Sequence, residues 1–248
     1  MISEDPSSEL KKRGLVVIRE VCTKSQCDTC MSELTKGLDA MMKLPGPMNE
    51  QKPERHFLGF PVSKSTPSPK DFSHRRDFRM SMSKNTIELL TSIIKQSPAG
   101  SVLKEVLGDD GELIELTAIV SEPGAKSQDI HADGDFNPLA PQIVTMFLAL
   151  HNIVDESLGP TRFYPETHKP EFYSDKKWVA PTEDAVKEKG EYDWYKLNAG
   201  DAIIMDQCTW HGGGANTSNR KRTLLSLSFT QGSVNKNSKS YTIGDFLA

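Results

Sequence analysis

From residue 112 onward the chain breaks into short apolar segments divided by Gly, Pro and Asn-rich turn signals. "ELIELTAIVSEPG", "QDIHADGDF", "QIVTMFLALHNI", "TRFYP", "DWYKLN", "DAIIMD", "TWHGGGAN" and "TLLSLSFT" each read as one strand. A succession of short strands with turns between them points to a sandwich or a closed barrel. "NAGDAIIMD" is a turn feeding a buried strand, and no segment recurs at a fixed period. The expectation for about residues 112–231 is therefore a jelly roll.

The first 111 residues have a different texture. "GLVVI" is the centre of a short strand, and residues 25–43 place Met31, Leu34, Leu38 and Met41 or Met42 at helical spacing. Pro45 and Pro47 then end that helix. Residues 44–74, rich in Pro, Ser, Lys and His, read as a long irregular loop of the kind that forms lids or binding loops. "HRRDFRMSMS" suits a short strand, and 85–107 suits two helices broken around Pro98-Ala99-Gly100. Residues 232–248 are left as a C-terminal tail. The whole reads as one domain over 1–248, mainly β with N-terminal helices packed on the jelly roll.

At 36 % hydrophobic and 26 % charged, the composition is that of an ordinary soluble globular protein. A formal charge of −4 argues against a nucleic-acid binder. The longest apolar run, "IVTMFLAL", is far below the roughly 20 residues of a membrane span. The N-terminus has no apolar signal region and the C-terminus no known address, so the default location is cytoplasmic, without a membrane. Without a secretion signal, Cys22, Cys27, Cys30 and Cys208 are expected to be reduced thiols. Cys27 and Cys30 form a C-x-x-C, but no fourth zinc ligand lies close in sequence.

His131 and Asp133 in "DIHADGDF" stand two apart. On a strand, residues i and i+2 point the same way, so an imidazole and a carboxylate are aimed at one place. A histidine from a facing strand would complete a 2-His-1-carboxylate set, the ligand pattern of non-haem Fe(II) oxygenases. The candidates are His56, His74, His151, His168 and His211, and three glycines follow His211. Downstream, Arg222, Leu224, Ser226 and Ser228 share one face of a strand, and Thr223, Leu225 and Leu227 the other. An arginine opening a buried strand calls for a carboxylate partner, which its planar fork binds through two parallel hydrogen bonds. Arg220 and Lys221 compete for that role on spacing alone.

"PGAKSQDIHADGDF", "SLGPTRFYPETHK" and "NAGDAIIMDQCTWHGGGANTSNRKRTLLSLSF" resemble the phytanoyl-CoA dioxygenase-like group of Fe(II)/2-oxoglutarate-dependent oxygenases. "DFRMSMS" and the helices after it resemble the segment that precedes the barrel in that group. The resemblance implies a double-stranded β-helix, a cupin-like barrel. It implies His131, Asp133 and His211 as iron ligands. It also places the arginine that holds the far carboxylate of 2-oxoglutarate at Arg222 rather than Arg220. Gln128 and Thr161 match positions that line the co-substrate site in the group, and Arg75, Arg76 and Arg79 are candidates for a second arginine near it. Two departures lie in a loop near the expected mouth of the site: "PETHK", with Glu166 and Thr167, and Ser157-Leu158, where the group commonly has Glu-Asn. The presence of Asp133 argues against halogenation.

The implied reaction uses Fe(II), 2-oxoglutarate and O2, with ascorbate as a candidate reductant. It oxidises a C–H bond of a small organic substrate, hydroxylation first, and yields succinate and CO2. The basic run "KDFSHRRDFR" and residues 134–142 would border the mouth and suit an anionic substrate. Trp210 is read first as a packed aromatic and second as support for the metal ligands. The rival readings are another metal-dependent cupin-type enzyme and a non-catalytic metal- or 2-oxoglutarate-binding sensor.

Overall fold

In the computed structural model, residues 5–42, 74–80, 83–134, 137, 139–173, 181–232 and 241–248 are described, without the side chains of 38–42, 76, 78 and 79. The elements run α1 (Pro6–Arg13), β1 (Leu15–Ile18), α2 (Lys24–Met42), β2 (Arg75–Arg79), α3 (Lys84–Lys95), α4 (Pro98–Leu107), β3 (Glu112–Ser121), β4 (Ile143–Ala149), β5 (Thr161–Tyr164), α5 (Glu183–Lys189), β6 (Ala202–Asp206), β7 (Trp210–Gly213), β8 (Arg222–Thr230), β9 (Tyr241–Thr242) and α6 (Ile243–Leu247).

The fold is a jelly roll with helices on one side. Its larger sheet is antiparallel in the order β1-β6-β4-β8-β3-β2, with β9 also on β3; its smaller sheet is β5-β7. Because alternate residues face opposite ways, register sorts the large sheet into two faces. Outward, Leu116, Ala118 and Val120 of β3, Val144, Met146 and Leu148 of β4, and Leu225, Leu227 and Phe229 of β8 join one core with Leu10, Cys27, Leu90, Ile93 and Leu103 of the helices. Each large aliphatic or aromatic side chain among them removed from water contributes about 1.5–3 kcal/mol. Inward, Phe147, Ala149, Ile203, Met205 and Leu224 meet Phe163 of the smaller sheet.

Three helices fall where the sequence offers no hydrophobic period. In α1, Ser7 and Leu10 are the buried residues; Asp5 caps it by accepting from the Ser8 N–H, with Pro6 in the first turn. Gly14 ends it at φ +79°, where a Cβ would strike Thr209 and His168. The expected tail contains α6, whose five residues are too few to show a period; Thr242 and Asp245 cap it reciprocally and Ile243 and Phe246 are buried. The polar α5 is likewise absent from the sequence reading. Two expected strands are not strands: the described part of "QDIHADGDF" touches its neighbour through an isolated bridge at His131, and "DWYKLN" through isolated bridges at Asp193 and Leu197. The expected lid falls almost wholly outside the described residues. Cys22, Cys27 and Cys30 are free, buried thiols in the helix–sheet core, Cys22 and Cys27 with sulfurs 3.5 Å apart. No helix among the described residues is long and apolar enough to cross a membrane.

Candidate metal centre

His131 and His211 face each other as an antiparallel bridge, each donating its main-chain N–H to the other's carbonyl, at 2.9 and 2.8 Å. Directly opposed residues place their side chains on one side, close together, and the two imidazole centroids are 4.5 Å apart. Two residues on, the Asp133 N–H donates to the Gln207 carbonyl at 2.8 Å, which ties the carboxylate to the turn before β7. Asp133 Oδ1 lies 3.7 Å from His131 Nε2, and its Oδ2 lies 3.6 Å from His211 Nε2. One donor atom from each of the three residues falls within 4.8 Å of the others, the single such group among the described residues.

The tautomers follow from the neighbours. His131 Nδ1 lies 2.8 Å from the Asp129 carbonyl and His211 Nδ1 3.0 Å from the Thr209 carbonyl. A carbonyl only accepts, so each Nδ1 carries the proton and each Nε2 keeps its lone pair toward Asp133. Backbone support of this kind fixes ring orientation at metal sites. Burial, with the neighbouring His211 adding to it, pushes the His131 imidazole below its usual value and keeps it in the neutral form that ligates. Both rings are buried while the Asp133 side chain is 34 % exposed, so the centre opens on the Asp133 side. Two imidazoles and one carboxylate suit a divalent first-row ion such as ferrous iron.

Of the other histidines, His151 Nε2 accepts the Thr223 N–H at 2.8 Å, and His168 Nε2 lies 3.0 Å from the Lys11 carbonyl. Both serve the backbone. His74 is exposed, and His56 lies outside the described residues.

Arg222 is 1 % exposed although it follows the exposed Arg220 and Lys221. Its guanidinium donates to the Gly159 carbonyl and, at 2.9 Å, to Ser121 Oγ; its Nε is buried without a partner. Arg75 is also buried, its Nη1 2.7 Å from the same Ser121 Oγ and its Nη2 donating to the carbonyls of Lys126 and Gly214. Burial first, and then the charge of Arg75, pull Arg222 down to about 9. Among the described residues neither arginine has a carboxylate within salt-bridge distance, although the charge of Asp77 acts on both and opposes the lowering. A buried charge in that state is stabilised by an anion, so the donor set fits the carboxylate of a keto acid.

Thr161, Pro160, Phe147, Phe163 and Leu224 wall a cavity with Arg222. Its enclosed volume is about 10 Å³, a single water's worth, so a larger anion on Arg222 must displace those side chains. Gln128 does not wall this cavity; its Oε1 accepts the Gly213 N–H at 2.9 Å. Gly213 is needed there, because a Cβ would come within 2.5 Å of Arg75 Nη1 and 2.7 Å of Gln128 Oε1. The side chains of Arg76 and Arg79 are outside the described residues.

The model of the family described as phytanoyl-CoA dioxygenase (PhyH) matches residues 10–224. The chain belongs to the PhyH family. Among curated proteins, this PhyH chain is 33 % identical over 110 residues to dioxygenase aneA of Aspergillus aculeatus, covering 41 % of this chain and 34 % of that protein. It is 24 % identical over 227 residues to dioxygenase af480 of Aspergillus fumigatus, covering 90 % and 65 %. The chain thus spans less than two thirds of either relative. The solved structure of the non-heme alpha-ketoglutarate-dependent carbocyclase SnoK from nogalamycin biosynthesis superposes with a TM-score of 0.66 at 16 % identity, over 93 % of this chain and 84 % of that one. HygX from Streptomyces hygroscopicus, with nickel and 2-oxoglutarate bound, gives 0.62 at 13 % identity, over 93 % and 87 %. At such identities the likeness is one of fold.

The two departures named in the sequence, at Thr167 and Ser157, act as fasteners in this PhyH chain. Thr167 is fully buried; its hydroxyl donates to the Tyr164 carbonyl at 2.7 Å and accepts the Trp210 N–H at 2.8 Å, holding the start of β7. Ser157 offers its carbonyl to the N–H groups of Thr217 and Ser218. Trp210 packs edge-on against Phe172 with Tyr164 and Ala132, as a packed aromatic. The sequence reading passed over Ser121 and Asn216. Asn216 is fully buried and its Nδ2 donates to the carbonyls of Ser121 and Arg220 at 2.9 and 2.8 Å, which orients the entry to β8.

Proposed function

We propose that this chain is an Fe(II)/2-oxoglutarate-dependent dioxygenase that oxidises a C–H bond of a small organic molecule. The observation that carries this reading is the convergence of His131, Asp133 and His211 within 4.8 Å, in a chain of the PhyH family. When bound, ferrous iron with 2-oxoglutarate and O2 supplies the oxidising chemistry, and 2-oxoglutarate leaves as succinate and CO2.

The protein's own part is positional. His131, Asp133 and His211 would hold the ion from one side, leaving the remaining positions open. Arg222 would hold the far carboxylate, with Arg75 beside it and Thr161 on the cavity wall. Gln128 acts at one remove, by fixing Gly213 under Arg75. Phe147 and Phe163 flank the His211 ring at centroid distances of 6.1 and 6.2 Å and keep water from the inner side. No side-chain acid or base is required. Hydroxylation is the outcome we assign. The likenesses to a carbocyclase and to an epimerase, SnoN, solved with Fe3+, alpha-ketoglutarate and nogalamycin RO, make ring closure and epimerisation the products to look for next.

The test is succinate release from 2-oxoglutarate by the iron-loaded protein under air, with no added substrate. His211→Ala is expected to abolish it together with iron binding. Wild-type release by that variant would remove His211 from the ligand set. Metal-dependent turnover without any use of 2-oxoglutarate would favour a different cupin-type enzyme.

A further inference from the structure

The strand that walls the inner cavity has a second side. In β5, Thr161 and Phe163 face the interior, and Phe163 pairs with His211 of β7. Arg162, between them, pairs with Gly212 and so points out of the barrel, away from the metal centre. There it lines a groove of about 400 Å³ with Tyr192, Trp194, Glu156, Ser157 and Thr217, within the roughly 300–1,000 Å³ of small-molecule sites. The floor is buried main chain of Gly159-Pro160 and Gly214, where the Gly214 N–H donates to the Pro160 carbonyl at 3.0 Å. The walls are held by the protein itself. Arg162 Nη2 donates to the Gln128 carbonyl at 3.0 Å, and the guanidinium lies 5.5 Å from the centre of the Tyr192 ring. Tyr192 donates its hydroxyl to Glu156 Oε1 at 3.1 Å, and the Ser157 carbonyl accepts the Thr217 N–H at 2.8 Å.

The chemistry of these walls selects the ligand. A guanidinium only donates, a carboxylate only accepts, and the serine and threonine hydroxyls do both. With Arg162 and Glu156 lining the same groove, one charge of each sign leaves no excess to draw an ion. Tyr192 and Trp194 add aromatic surface with a polar tip. A molecule that meets all of these at once is neutral, carries hydroxyls around its edge and shows C–H surface on its faces. We propose that this outer groove binds a sugar ring, with one face against the aromatic side chains and its hydroxyls shared between Arg162 and Glu156. The site is separate from the iron centre and stands whether or not the 2-oxoglutarate reading does.

The test is saturation-transfer NMR on the whole chain loaded with zinc, a diamagnetic stand-in for iron. The probes are the methyl glycosides of glucose, galactose, mannose and N-acetylglucosamine. At least one is expected to receive saturation at its ring C–H protons, with 2-oxoglutarate in excess and equally in Arg222→Lys, which alters only the inner site. Tyr192→Ala is expected to weaken that glycoside about fivefold or more. Glu156→Gln, which keeps the shape and removes the charge, is expected to weaken it by a smaller factor. Both side chains are exposed, and melting temperatures confirm that the variants fold. Transfer to none of the glycosides would overturn the proposal. So would transfer that is unchanged in both variants, or a glycoside displaced by 2-oxoglutarate, since either puts the sugar elsewhere. Inorganic phosphate bound in place of any glycoside, seen by phosphorus NMR and lost in Arg162→Gln, would make the groove an anion site and overturn the sugar assignment.

Discussion

The two faces of β8 are built to opposite rules within one run of nine residues. Outward, Leu225, Leu227 and Phe229 are buried among helices and carry no polar atom in their side chains. Inward, the same strand sets Arg222, Leu224, Ser226 and Ser228 in order from the guanidinium cluster toward the other end of the barrel. The outer face is fastened by area removed from water; the inner face keeps a guanidinium and hydroxyls out of water, and in the proposed function Arg222 is the group offered to the keto acid. A one-residue alternation thus separates the face that packs on the helices from the face on which the proposed co-substrate arginine stands.

The separation can be broken from either side. Leu227→Ala should cost about 2–5 kcal/mol of stability by opening a cavity under the helices, measured by denaturant unfolding, while the folded fraction keeps its 2-oxoglutarate affinity. Arg222→Lys should do the reverse: binding of 2-oxoglutarate falls by about 1–3 kcal/mol, with little change in melting temperature. If L227A weakened the ligand as much as R222K does, the two faces would be coupled and the distinction lost. Ser228→Ala removes a 3.0 Å hydrogen bond to Thr145 Oγ1 and should cost about 1 kcal/mol of stability.

The smallest effect concerns pH. Burial, with Arg220 and Arg222 adding to it, lowers His151 below its ordinary value, and its neutral Nε2 accepts the Thr223 N–H. The folded state therefore favours the neutral ring. That contribution is present above the unfolded value near 6.5 and is lost as pH falls through the folded value. Melting temperature should drop from pH 7 to pH 5, and by less in His151→Gln.

Much of this was legible in the residues. Alternation in "RTLLSLSF" placed Arg222 on one face, and the structure makes that face the inner one; His131 and Asp133 do aim at one place, but from an isolated bridge and the bend after it rather than from the strand the spacing suggested. The choice among Arg75, Arg76 and Arg79 was not legible. Period two separates 75 and 79 from 76, but only the pairing of Arg75 with Ser121 shows which end of β2 reaches the cluster. Ser121 gave no signal either, since a strand serine is ordinary and its partners lie 46 and 101 residues away. The helices α1 and α6 were hidden by shortness and polarity; they rest on caps and tertiary contacts, which no periodicity reports.

Residues 131 and 211 are 80 positions apart and share a pair of main-chain hydrogen bonds. An ion gripped by both imidazoles would therefore close a long excursion of chain, and the disorder it forbids grows with the logarithm of that span. Chelation would then do more than silence the centre. It would loosen the two-stranded flap that β5 and β7 make and leave the helix-backed wall standing, so that protease nicking near 161–164 and 210–213 would serve as a gauge of metal loading.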